Sequence, residues 1–194
     1  MSRNVKRQKT LSYSLARRRI RRGDLLLFRR SGLIASAGRS VYSHAAMADW
    51  WDGDLFCLEF RGFRGGRAVV LSSQVERYPG RIDVFACNPD CRRPNFDRRE
   101  AARFMRRLTG RDYGWINLLG VAVLHVPVLR WIFKADTKDD RPVRLPPFCS
   151  QAVAMAYRLG GGVDPVPNLA DRMTEPADLA RSRLFRYRFT LERD

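Results

Sequence analysis

Short apolar runs bounded by turn residues dominate the first half of the chain, and such runs predict buried strands. Leu25-Leu26-Leu27-Phe28 follows Gly23-Asp24. Val41–Ala48 and Leu55–Phe60 come next, divided by Asp52-Gly53-Asp54, a hairpin-turn composition. Ala68–Ser72 and Ile82–Ala86 read as two more strands, separated by Tyr78-Pro79-Gly80. Residues 31–40, rich in small residues, read as loop or short helix. Alternation over Leu55–Phe60 sets Leu55, Cys57 and Glu59 on one face and Phe56, Leu58 and Phe60 on the other. A carboxylate on a face shared with Leu and Cys needs a partner, because burying an unpaired charge costs several kcal/mol.

In the second half the period lengthens. Asp97-Arg98-Arg99-Glu100 has capping-box spacing, and Ala101, Phe104, Met105 and Leu108 continue it as the stripe of a helix ended by Gly110. Tyr113-Gly114-Trp115 leads into Ile116–Leu129, which is almost wholly apolar. That stretch contains His125 and Pro127 and is too short to span a bilayer. It predicts a buried helix or a patch that touches membrane or substrate. The charged loop Lys134–Arg144 then delivers the chain to Pro146-Pro147-Phe148-Cys149, where Ser150–Ala156 reads as a helix of small residues stopped by Gly160-Gly161-Gly162. Thr174–Leu179 predicts a short helix with an early proline, and Phe185–Leu191 a last, half-exposed strand. Strands first, then helices, then a final strand describe an α+β domain without internal repeats.

Charge changes this picture at one end. The chain of 194 residues carries a formal charge of +17, and residues 1–22 hold nine Lys or Arg and no acid. This segment reads as a basic N-terminal arm ahead of a domain spanning 23–194. Such arms stay solvated or dock on an acidic partner, a virion component, nucleic acid or an anionic membrane. No positive–apolar–small leader pattern opens the chain, so a cytoplasmic or a virion- or assembly-associated protein is expected. The four cysteines, Cys57, Cys87, Cys91 and Cys149, are too few and too irregular for a disulfide framework. Cys87 and Cys91 supply half a zinc site at most, so neither metal nor cofactor is expected.

Candidate chemistry centres on Cys149. At a helix start, unpaired backbone N–H groups and the dipole favour a thiolate; the bland alternative is a buried structural thiol. A thiol nucleophile needs a base, and the base an orienting group. Of the two histidines, His125 sits in the apolar stretch and reads as packed, whereas His44 lies on a strand between small residues. Glu59 lies on the next strand of the same hairpin. Antiparallel pairing can bring them together as a Cys149–His44–Glu59 set with the logic of a catalytic triad.

Gly23-Asp24-Leu25-Leu26-Leu27-Phe28, Tyr42-Ser43-His44-Ala45-Ala46-Met47, Glu59, Phe148–Val153 and Thr174–Leu179 together resemble the circularly permuted branch of the NlpC-type papain-like hydrolases, the YiiX/YebB-like group. The resemblance covers about residues 21–190. It implies a permuted papain-like fold, with an antiparallel sheet packed against helices. It also implies Cys149 as nucleophile, His44 as general base and acid, Glu59 as the group orienting the imidazole, and the Cys149 backbone N–H in the oxyanion hole. Asp24 is expected to tie down the strand start, and Tyr113 to be a packed aromatic or a substrate contact. Phe148 cannot donate a hydrogen bond, which leaves the oxyanion-hole side chain open. The expected activity is amide hydrolysis on peptides or peptidoglycan stem peptides by a phage- or injection-device-associated enzyme. A lipid-directed thioesterase or acyltransferase, and a non-enzymatic structural or nucleic-acid-associated component, are the alternatives.

Overall fold

A computed structural model describes residues 9–29, 41–61, 64–88, 95–110 and 147–194. The loop or short helix read over 31–40, Cys91, Tyr113, the apolar stretch 116–129 with His125, the loop 134–144 and Pro146 lie outside the described residues.

Among the described residues, seven strands form one sheet: β1 (Thr10–Ser12), β2 (Leu25–Arg29), β3 (Tyr42–Trp51), β4 (Asp54–Arg61), β5 (Gly65–Val70), β6 (Ile82–Cys87) and β7 (Phe185–Glu192). Their spatial order is β1-β7-β6-β2-β3-β4-β5. All neighbours are antiparallel except β1 and β7. With five α-helices among the described residues, α1 (Tyr13–Arg17), α2 (Leu71–Arg77), α3 (Arg98–Arg107), α4 (Cys149–Met155) and α5 (Pro176–Arg181), the architecture is α+β.

The apolar run in β2 is continuous because both faces of the sheet are covered. Leu25 and Leu27 join a core with residues of α3, α4 and α5, while Leu26 and Phe28 join a second core with residues of α1 and α2. The β3–β4 turn is the two-residue loop that Asp52-Gly53 predicts. Both residues have positive φ (50° and 78°), the requirement of a hairpin turn that follows the twist of its strands. Asp97 caps α3 by accepting from the backbone N–H groups of Arg99 and Glu100. The small side chains of α4 let it lie on the sheet, and the helix widens into a π-turn over Ala156–Gly160. There Gly160 meets α3 so closely that a Cβ would sit 2.7 Å from the Glu100 carbonyl oxygen and from Phe104 Cβ.

Two expectations need correction. Leu71 and Ser72 begin α2 instead of ending a strand, and Leu71 and Val75 are its buried stripe. The boundary at residue 22 does not mark where the fold begins: β1 pairs with β7, Ala16 is 0% exposed and Ile20 3%. The charge of this segment masks its few apolar residues, of which Ala16 and Ile20 are buried and Leu11 and Tyr13 pack against the second core. The final strand alternates only in its first half. From Phe189 to Leu191 it is buried, because Phe189 and Leu191 join the second core and Thr190 on the opposite face donates to Asp83 Oδ1 at 2.6 Å. Among the described residues, no helix is long and apolar enough to cross a membrane.

Candidate functional site

His44 enters the site from the start of β3 and Glu59 from near the end of β4. Their register is set by the tight Asp52-Gly53 turn, which pairs Ala46 with Glu59 and leaves His44 diagonal to it on the same face. His44 Nε2–H donates to Glu59 Oε2 at 2.6 Å. Phe28, opposite His44 on β2, meets the imidazole edge-on with ring centroids 5.1 Å apart. Cys149 arrives from elsewhere: Phe148 is the N-cap of α4 and Cys149 its first residue, 1% exposed, in the core on the other face of the sheet. The two meet at the end of the sheet where the β2–β3 register shifts between Phe28 and Arg29, an irregularity of the kind that re-aims side chains. The Cys149 thiol lies within hydrogen-bonding reach of the His44 imidazole and of the backbone N–H groups of Ala45 and Ser150, close enough for each to shift its charge. Since Nε2 is committed to Glu59, Nδ1 is the ring nitrogen left for the sulfur.

Burial works against charge at all three positions, and the neighbours overcome it. Burial pushes the Cys149 thiol up, but the His44 hydrogen bond and charge, with the two backbone N–H groups, bring it below the ordinary thiol range. Burial would lower His44, whereas its bonds to Cys149 and Glu59 raise it to about 9. Glu59 is desolvated, yet the His44 hydrogen bond and the charges of His44, Arg61 and Arg67 lower it to about 2. The resting state these shifts favour is thiolate, imidazolium and carboxylate in a row.

The sequence reading missed the arginines. Glu59 Oε1 accepts from both Nε (2.9 Å) and Nη2 of Arg67, and Oε2 accepts from Arg61 Nε at 3.2 Å. The available signal was the demand of an apolar-face carboxylate for a partner. Arg61 shares that face two residues on, and Arg67 faces Glu59 directly once β4 and β5 pair. Asp24 ties down the start of β2, accepting from the Arg21 backbone N–H and from Arg98. Cys57 is buried in the second core, and burial pushes its thiol well up. Cys57, Cys87 and Cys149 are free thiols. Ser150 faces away from the chemistry, donating to the Thr174 carbonyl. A cleft of about 560 Å³ lies between Asp164–Asn168 and Asp178–Leu184; none of the three candidate residues lines it.

The chain is similar to the metalloprotein yiiX from Escherichia coli O157:H7, whose crystal structure it matches with a TM-score of 0.57. The match covers 88% of this chain and 97% of that one, at 12% sequence identity. The two share a fold. No protein-family model and no curated protein matches the chain. Among the described residues, no group of three or more His, Cys, Asp or Glu is arranged to hold a metal ion. The Glu59 oxygens, the obvious donors beside His44 and Cys149, are taken up by two guanidiniums and the imidazole.

Proposed function

We propose that the chain is a thiol hydrolase of the circularly permuted papain-like type, acting on amide bonds. The observation that carries this reading is the contact series from the Cys149 thiol through His44 to Glu59, in which the thiol is shifted down and the imidazole up. Cys149 would attack the substrate carbonyl as thiolate. His44, holding the proton, would deliver it to the leaving amine and afterwards take one from the attacking water. Glu59 holds the ring by Nε2, which keeps Nδ1 aimed at the sulfur. As the first residue of α4, Cys149 has a backbone N–H without an intrahelical acceptor, available to the oxyanion.

The substrate class that fits is a peptide, in particular a peptidoglycan stem peptide. The formal charge of +17 would draw the enzyme to anionic wall polymers, and delivery by a phage or an injection device would bring it there. Hydrolysis of purified muropeptides tests the reading. Cys149→Ala is expected to abolish turnover, by roughly four orders of magnitude or more, with an unchanged melting temperature to within a few degrees. Turnover that survives the substitution would overturn it.

A further inference from the structure

We infer that Arg67, seconded by Arg61, is a positioning residue for the Cys149–His44 pair: it keeps Glu59 ionised, fixed and partly neutralised, and so sets the pH range over which the thiolate–imidazolium pair exists. The inference rests on the thiol-hydrolase reading and deepens it.

The geometry divides the Glu59 carboxylate between two tasks. Oε1 is held by two prongs of Arg67, a planar two-point grip that an ammonium cannot make. Oε2 is left to His44 Nε2 and, at longer range, Arg61. The Glu59 side chain is 0% exposed, while the Arg61 and Arg67 side chains are 18% and 19% exposed. Arg61 is itself immobilised: its Nη1 donates to the Tyr78 hydroxyl at 2.8 Å, and its guanidinium lies 5.1 Å from the centre of the Tyr78 ring. Tyr78 packs edge-on against Phe28, and Phe28 edge-on against His44. Phe28, Tyr78, Arg61, Glu59 and His44 thus close a ring of contacts, with Arg67 gripping Glu59 from β5.

Two consequences follow. A carboxylate buried beside an imidazolium without other cations can take its proton, leaving a neutral pair; the guanidiniums prevent that by holding Glu59 ionised. They also place two positive charges behind one negative charge, so the imidazolium feels less attraction than a lone carboxylate would supply. Among the described residues, the titratable or charged groups around the imidazole are Cys149 from α4, Glu59 and Arg61 from β4, and Arg67 from β5 behind Glu59; β2 presents Phe28, and Tyr78 follows α2. With the other guanidinium still holding Glu59 ionised, removing one charge therefore favours the protonated imidazole and disfavours the thiolate. Both edges of the pair's pH range move up, the upper edge more because Arg67 is nearer to His44's partner than to the sulfur.

The test is the pH dependence of Cys149 alkylation by iodoacetamide, which needs no substrate, read beside an imidazole NMR titration in a chain with two histidines. Wild type is expected to show a low-pH rise and a second transition near 9. In Arg67→Gln the upper transition and the His44 titration move up by about one pH unit. In Arg67→Lys, which restores the charge, they return to within a few tenths of a unit of wild type. A merely structural Arg67 would lower the amount of folded, reactive protein without moving either transition, and that result would overturn the inference. If Arg67→Gln does not fold, Arg61→Gln removes the second cation and carries the same test; an unshifted profile there overturns it equally. A wild-type Cys149 that ionises once, as an ordinary thiol, would instead overturn the hydrolase reading beneath.

Discussion

Two buried carboxylates on the β3–β4 hairpin, each flanked by two arginines, invite comparison. Asp49, towards the hairpin end of β3, is 0% exposed. Its Oδ1 accepts from Arg22 Nε at 2.6 Å and from the Trp50 backbone N–H at 2.8 Å. Its Oδ2 lies 2.7 Å from Arg106 Nε, an ion pair whose N–H does not line up as a hydrogen bond. Glu59, towards the other end of the same hairpin, is equally buried and also doubly paired. The difference is the third partner. Among the described residues Asp49 meets only permanently charged guanidiniums and a backbone amide, so it is a fixed clasp joining the segment before β2, through Arg22, to α3, through Arg106. Glu59 spends half of one oxygen on an imidazole whose other nitrogen is left for a thiol, and in the proposed hydrolase that would make its charge part of a chain through which a proton moves. Burial and pairing alone do not distinguish a site from a staple; a titratable neighbour does.

The sharpest way to break the comparison is to neutralise both carboxylates in parallel. Glu59→Gln is expected to lower muropeptide turnover on the order of 10²- to 10⁴-fold, because the amide neither stabilises the imidazolium nor enforces the right tautomer. Asp49→Asn is expected to leave turnover per folded molecule unchanged while costing about 3–5 kcal/mol in urea unfolding, the penalty of stranding charges buried in a pair. Equal losses of turnover in the two variants would erase the distinction.

Acid provides a finer probe. Glu59 is lowered to about 2 in the folded chain, against roughly 4.3 for an unfolded glutamate. A depressed group contributes stability that is fully present above the unfolded value and lost as pH falls through the folded one. Between about pH 4.3 and 2 this contribution, about 3 kcal/mol, should disappear from wild type. The Glu59→Gln variant should therefore lose less stability over that interval. Equal slopes would mean that the grip of His44 and the two arginines on the carboxylate is absent in solution. The smallest effect tests a point remote from both carboxylates: Asp97→Ala removes the cap of α3 and should cost about 1 kcal/mol, again with no effect on turnover.

Much of the site is legible residue by residue. Cys149 stands out because paired prolines precede a run of small helix-forming residues, and Glu59 because a carboxylate interrupts an apolar alternation. His44 stands out because the only other histidine, His125, lies in an apolar stretch. Arg67 was not legible, since its role depends on which strand pairs with β4, and nothing local to Gly65-Gly66-Arg67 says so. The α2 helix was misread because Val69-Val70-Leu71 is as good a strand as any; β4 runs on past the Phe56–Val70 pair, yet the chain turns into a helix there, which buries Leu71 and Val75 in the second core. The packing of Ala16 and Ile20 was hidden by the arginines around them.

Local pattern by itself did not show β1, α1 or α2; it determined most of the strands and helices from Leu25 onward, the tight hairpin that places His44 diagonal to Glu59, and the presence of a thiol at a helix start. Those are short-range properties, settled by periodicity, turn chemistry and caps. Only the tertiary structure decided that α4, packed on one face of the sheet, brings its first residue to an imidazole whose carboxylate partner belongs to the other. The same holds for the arginine from a third strand that grips that carboxylate. Such pairings join residues up to about a hundred positions apart, and they exist because closing both cores brings those groups to the same end of the sheet.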